Sequence, residues 1–266
     1  MNLSEEVCLR KVSQIEQYLC EMSPLVLAES WDNVGLLMGR RSALVDKVMT
    51  CLTLSPDVAE EGSGAGVGLL ITHHPFPFKP GCKYTDATVE GGVFLRLLEN
   101  RIAVFSSHTA FDGAPEGINE LILRGLGFSE MEPIVVKDGL AGGVGRMTRA
   151  ERSIERILED LKTLFLIDHI SIVKAKPKTK KVGVVCGAGG DFVLTAHAKG
   201  VDCLITGEAT FHQCLLARSL GMTLILVGHY ASERFAMEIM AKKIGLKFPD
   251  LKVFASSVEA NPVSLV

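Results

Sequence analysis

Short apolar runs set between longer amphipathic stretches constrain this chain more than any other feature. Met49–Leu54, Val67–Thr72, Ile102–Ser106, Val182–Cys186, Val201–Thr206 and Thr223–Val227 are each too short for a typical helix. They are also too continuously apolar for a strand with one wet face, so they are expected to form strands buried on both faces. His169–Val173 and Leu251–Ala255 read as two more strands. Helices are expected between them, at 5–21 (stopped by Pro24), 88–100, 117–125, 153–165, 191–199, 212–220 and 232–244. A further helix start, at Ser55-Pro56-Asp57, runs into a glycine-rich turn. This alternation predicts an α/β fold. The glycine-rich stretch 126–150 is expected to hold a hairpin or a domain boundary, and Lys174–Lys181 a solvated turn.

In open α/β sheets, ligands bind beyond the carboxyl ends of the strands. Three apolar runs end there in polar clusters: 69–72 enters His73-His74-Pro75, 104–107 enters His108 and then Asp112, and 225–228 enters His229 and then Glu233. If those strands are parallel neighbours, their ends share one rim. Successive side chains on a strand diverge, so His73 and His74 are expected to serve two ions rather than one. Pro75 biases His74 towards extended backbone. His229 and Glu233, four apart at a helix start, share a face, and Asp112 adds a second carboxylate. Five such ligands hold two divalent ions if a carboxylate or water bridges. A set without thiolate suits zinc, manganese, iron, cobalt or nickel. Each element is weak alone, since a lone histidine beside a strand is usually a satisfied core residue; the argument rests on the combination.

Other residues carry less. His108, Glu208 and His212 are candidates for a catalytic acid, base or substrate contact, with a helix cap as the alternative for His212. His169 and His197 are expected to be structural or exposed. Cys186-Gly187-Ala188-Gly189-Gly190 reads as a tight turn in preference to a phosphate cradle, since no G-x-x-x-x-G-K-[ST] is present.

Composition excludes several classes of partner. Lys and Arg number 28 against 31 Asp and Glu, and the net charge of −3 gives no long-range attraction to a polyanion. One Trp, three Tyr and twelve Phe leave few base-stacking platforms. Nucleic acid and membrane are thus not favoured. No apolar run approaches the roughly 20 residues of a bilayer span, and the N-terminal stretch lacks the pattern of a secretory leader. Seven scattered cysteines without a C-x-x-C pair suit reduced thiols in a cytoplasmic protein.

Five segments, WDNVGLLMG (31–39), ITHHPFPF (71–78), SSHTAFDGAPEGINELI (106–122), TGEATFHQCLLARSLG (206–221) and GHYASER (228–234), resemble the Nif3-like dinuclear-metal-centre family. That family is also labelled GTP cyclohydrolase I type 2 homolog. The likeness runs in the family's order from near residue 25 to the C-terminus. It implies metal ligands at His73, His74, Asp112, His229 and Glu233, with two divalent ions per subunit. It implies two α/β domains with mixed sheets: a metal-binding domain of 1–125 plus 226–266, and an inserted domain of 126–225. It also implies a toroidal homohexamer. Many relatives carry two histidines near 211–212, where this chain has Phe211-His212. Two functions are open. One is a metal-dependent hydrolase of a nucleotide-like or phosphorylated small molecule, GTP cyclohydrolase-like by resemblance. The other is a non-catalytic metal-binding ring for storage, sensing or scaffolding. No segment reads as a guanine or triphosphate site; Lys79, Lys83 and Arg234, the basic residues near the ligands, read as surface.

Overall fold

The structure is a computed structural model that describes residues 9–137 and 139–264; residues 5–8 of the first expected helix lie outside the described residues. The chain forms two compact units, Met1–Ala110 with Ala236–Val266, and Phe111–Phe235 between them in sequence. It passes from the first to the second within the helix His108–Gly113 and returns within the helix His229–Lys247.

The first unit is built on a five-stranded sheet in the order 252–255, 47–51, 69–72, 103–106, 35–38. Four strands are parallel and 35–38 closes the edge antiparallel. Every residue of Leu69–Thr72 and Ala103–Ser106 is buried, which is why both runs lack polar alternation. The helices Pro56–Gly64 and Val89–Glu99 connect successive parallel strands. Ser55 and Thr88 cap them, each side chain accepting an amide hydrogen bond three residues on. Met49, Val58, Leu70, Val93, Leu97 and Val104 pack in one core cluster. The edge strand Gly35–Met38 was not foreseen from the sequence. Gly39 closes it with φ +104°, and a Cβ there would stand 2.6 Å from that of Ala103, so only glycine permits the approach.

After the strand Lys252–Ala255 the chain stays fastened to this unit. The Ser256 amide donates to the Thr50 carbonyl at 2.8 Å. Ser256 and Ser257 both donate to Glu61, and the Glu259 carboxylate accepts the amides of Leu52 and Thr53.

The second unit carries its own five-stranded sheet, ordered 171–173, 223–226, 203–206, 178–185, 146–153. Its three central strands are parallel and both edges antiparallel. The hairpin expected within 126–150 is present, Val135–Val136 against Gly143–Val144, while Arg146–Ser153 is a full edge strand that the sequence reading lacks. The supposed turn 174–181 is strand from Lys178 onward. Thr179 is buried there and bonds Asp202, whose carboxylate also accepts the amides of Lys180 and Lys181. Arg146 is 2% exposed; its guanidinium donates to the carbonyls of Gly113, Ala114, Gly143 and Gly145. The helix expected at 191–199 is a 3-10 turn, Gly189–Phe192, followed by Val193–Ala198. Among the described residues no helix is long and apolar enough to cross a membrane.

Candidate metal centre

The paired histidines continue the strand that precedes them. The His73 and His74 amides donate to the carbonyls of Cys51 and Leu52, both at 2.9 Å, and Ser106 Oγ donates to the His73 carbonyl at 2.6 Å. His108 follows the neighbouring parallel strand and turns back with φ +27°. The three imidazoles gather: ring centroids are 5.2 Å apart for His73–His74, 5.2 Å for His73–His108 and 5.4 Å for His74–His108. One ligand atom from each lies within 4.8 Å of the others. Both adjacent histidines bring a ring to this cluster. His108, expected only as a catalytic candidate, supplies the third imidazole.

Two of these rings are oriented from behind. His74 Nδ1 lies 2.7 Å from Thr53 Oγ1, and His108 Nδ1 lies 2.8 Å from Asp32 Oδ1. With Nδ1 engaged, Nε2 is the nitrogen each offers an ion, the arrangement by which metal sites fix tautomer and ring angle. The Asp32 side chain is fully buried and also accepts from Thr109 Oγ1, the Thr109 amide and the Asn33 amide. Burial pushes the Asp32 carboxyl up, but hydrogen bonds from His108 and Thr109 outweigh it and hold the group below the usual carboxylate range. Sequence reasoning missed Asp32 and Thr53 because both contacts are long-range. A donor set of three imidazoles with a carboxylate behind one of them fits a divalent transition ion.

In the second unit, His229 and Glu233 stand one turn apart at the start of the long helix, Nε2 to Oε2 at 3.1 Å. His229 Nδ1 lies 3.0 Å from Glu208 Oε1. The hydrogen bond to Glu233, aided by both carboxylate charges, overcomes partial burial and lifts the His229 pKa to about 9. Glu233 is buried beneath Gly187, where a Cβ would collide with its Oε1. Asp112 Oδ1 accepts from Cys186 Sγ at 3.2 Å. Burial, followed by the charges of Asp112 and Glu233, pushes that thiol well up. Asn119 braces the same corner, donating to the Asp112 carbonyl and accepting the Cys186 amide.

Three amides of the turn 186–190 are spent on neighbouring side chains. Those of Cys186, Gly187 and Gly189 go to Asn119 Oδ1, Ser232 Oγ and Thr206 Oγ1, so it is a packed turn. His212 is exposed at the second position of the helix Phe211–Ser219; Thr210, not His212, is its cap. His169 and His197 are exposed. One condition fails: 223–226 lies in a different sheet from 69–72 and 103–106, so only the last two are parallel neighbours sharing a rim.

The family model for Duf34/NIF3 (NGG1p interacting factor 3) matches residues 10–262. A "GTP cyclohydrolase 1 type 2 homolog" of Clostridium acetobutylicum is 33% identical over 240 residues, spanning 88% of this chain and 89% of the relative. A "GTP cyclohydrolase 1 type 2" of Helicobacter pylori is 31% identical over 233 residues, 87% of this chain and 90% of the relative. Among solved structures, a Bacillus cereus protein related to NIF3 superposes with a TM-score of 0.86 over 97% of this chain and 100% of its own. At 18% identity that likeness is one of fold.

Proposed function

The chain belongs to the Duf34/NIF3 family, and on that premise we propose that it is a metal-dependent hydrolase of a nucleotide-like or phosphorylated small molecule. Its ligands are His73, His74, Asp112, His229 and Glu233, serving two divalent ions of zinc, manganese, iron, cobalt or nickel. His108 joins the paired histidines as a further imidazole. The observation that carries this reading is the three-imidazole cluster, with His74 and His108 each already turned by a partner on Nδ1. Bound divalent ions would supply Lewis acidity, polarising the bond under attack and making water a nucleophile at neutral pH. The chain's own residues do the positioning. Asp32 fixes His108, Thr53 fixes His74, and Glu208 holds Nδ1 of His229 so that its other nitrogen faces Glu233.

The relatives' names make GTP the first substrate to try, followed by other nucleotides and phosphoesters. Metal-loaded protein is expected to turn over a member of that panel, with His74→Ala and Glu233→Ala each losing both metal and turnover. Full metal loading with no turnover across the panel would count against the enzyme. Two observations then favour the second reading, a cytoplasmic metal-binding homohexamer that stores, senses or scaffolds. Lys79 and Lys83 are exposed, although Arg234, also read as surface, is buried, and the amides of Cys186, Gly187 and Gly189 are bonded to neighbouring side chains.

A further inference from the structure

Trp31 and Phe78 are large apolar side chains left 61% and 50% exposed. Scattered exposed apolar residues are ordinary, but these two stand together, ring centroids 6.2 Å apart with planes at 43°. Both meet His108 close to edge-on, Trp31 at 5.9 Å and 74°, Phe78 at 6.0 Å and 76°. His108 is in turn one of the three clustered imidazoles. Polar bonds hold the arrangement. Asn33 Nδ2 donates to the Pro77 carbonyl at 3.0 Å, tying the loop that carries Trp31 to the loop that carries Phe78. Asp32, next to Trp31, bonds His108 and Thr109, and the Glu29 amide donates to Thr109 Oγ1 at 2.9 Å. Two aromatic rings are thus fixed in water and anchored to the histidine cluster on the same loops.

We propose that Trp31 and Phe78 form a stacking platform that seats a planar heteroaromatic ring beside the His73–His74–His108 cluster. Stiff aromatic side chains lose little conformational entropy when they bind. An aliphatic ligand would gain only buried area here; a flat heteroaromatic ring gains π contact as well. With the two planes at 43°, a ligand ring stacked face-on to one protein ring meets the other at a tilt. This names the substrate class for the function proposed above, and it rests on that reading only for what happens to the seated ring.

Trp31 is the chain's single tryptophan, so tryptophan emission reports this loop alone. Guanosine, which lacks phosphate, is expected to quench that emission saturably in zinc-loaded protein, while ribose phosphate leaves it unchanged. Trp31→Ala and Phe78→Leu, the latter keeping apolar bulk but losing the π face, are each expected to bind guanosine about tenfold more weakly in equilibrium dialysis. Zinc per subunit should not change in either variant. Chelator-treated protein separates the two readings: quenching without bound zinc and an absence of zinc uptake keep the platform and sink the metal centre. Full zinc with no quenching by guanosine, adenosine or a pterin overturns the platform. So does unchanged guanosine affinity in both variants, whether or not Trp31→Ala alters the assembly state.

Discussion

Asp32 touches no expected ligand position except through His108, which makes it the sharpest test of how the imidazoles are held. Asp32→Ala should leave the fold intact and weaken zinc binding about 10- to 100-fold in a chelator competition, the usual cost of losing a partner behind a metal-binding histidine. An affinity equal to that of the unaltered protein would show that His108 holds its angle without help. His229 supplies the pH dependence. Its pKa, lifted from 6.5 to about 9, means a proton must leave before the imidazole can take an ion. Zinc affinity should therefore climb with pH up to about 9 and flatten above, and Glu208→Gln should move the bend lower. The sign reverses for the metal-free fold. The charged His229 contributes stability that is fully present below pH 6.5 and lost as pH rises through about 9. Titrating the His229 ring signal by NMR checks both. His73, His74 and His229 drew notice in the sequence because each follows an apolar run, and Glu233 because it stands four residues after His229. Asp32 and Thr53 did not: they meet His108 and His74 across 76 and 21 positions of sequence, and nothing in their own neighbourhoods announces it.

Strands buried along their whole length were legible, while the half-buried edge strand Gly35–Met38 and the elements built on charge were not. Leu69–Thr72 and Ala103–Ser106 declare themselves because both faces are covered. Arg146–Ser153 does not, because arginines at 146, 149 and 152 read as surface, although Arg146 is buried among backbone carbonyls. Lys178–Lys181 failed for the same reason: alternate lysines face water while Thr179 turns in. Arg146→Met should therefore cost about 3 kcal/mol in urea denaturation of the metal-free protein, since it removes the buried guanidinium that donates to four carbonyls and leaves Glu120 with Arg124 alone. A loss under about 1 kcal/mol would mean those carbonyls find other donors. At the 186–190 turn, Gly187 combines φ +58° with contact against Glu233. Gly187→Ala should cost about 1–2 kcal/mol in backbone strain alone. It should also push Glu233 aside, so that the His229 pKa falls back from about 9. A pKa still near 9 in that variant would show that Glu233 keeps its place.

For the molecule as a whole, the proposed ring of six is a question of mass. Light scattering on the metal-loaded protein should give six times the 28.7 kDa of one chain, and a monomer or dimer would remove the ring from both functional readings. The first unit takes its sheet from both ends of the sequence, with 47–51 lying between 69–72 and 252–255. During synthesis the early strand therefore waits for a neighbour that leaves the ribosome about 200 residues later, a delay of roughly 10–40 seconds at ordinary elongation rates. The interposed second unit, with its own sheet and core, emerges whole in that interval. The nascent chain thus carries an open sheet edge until the strand Lys252–Ala255 arrives to close it.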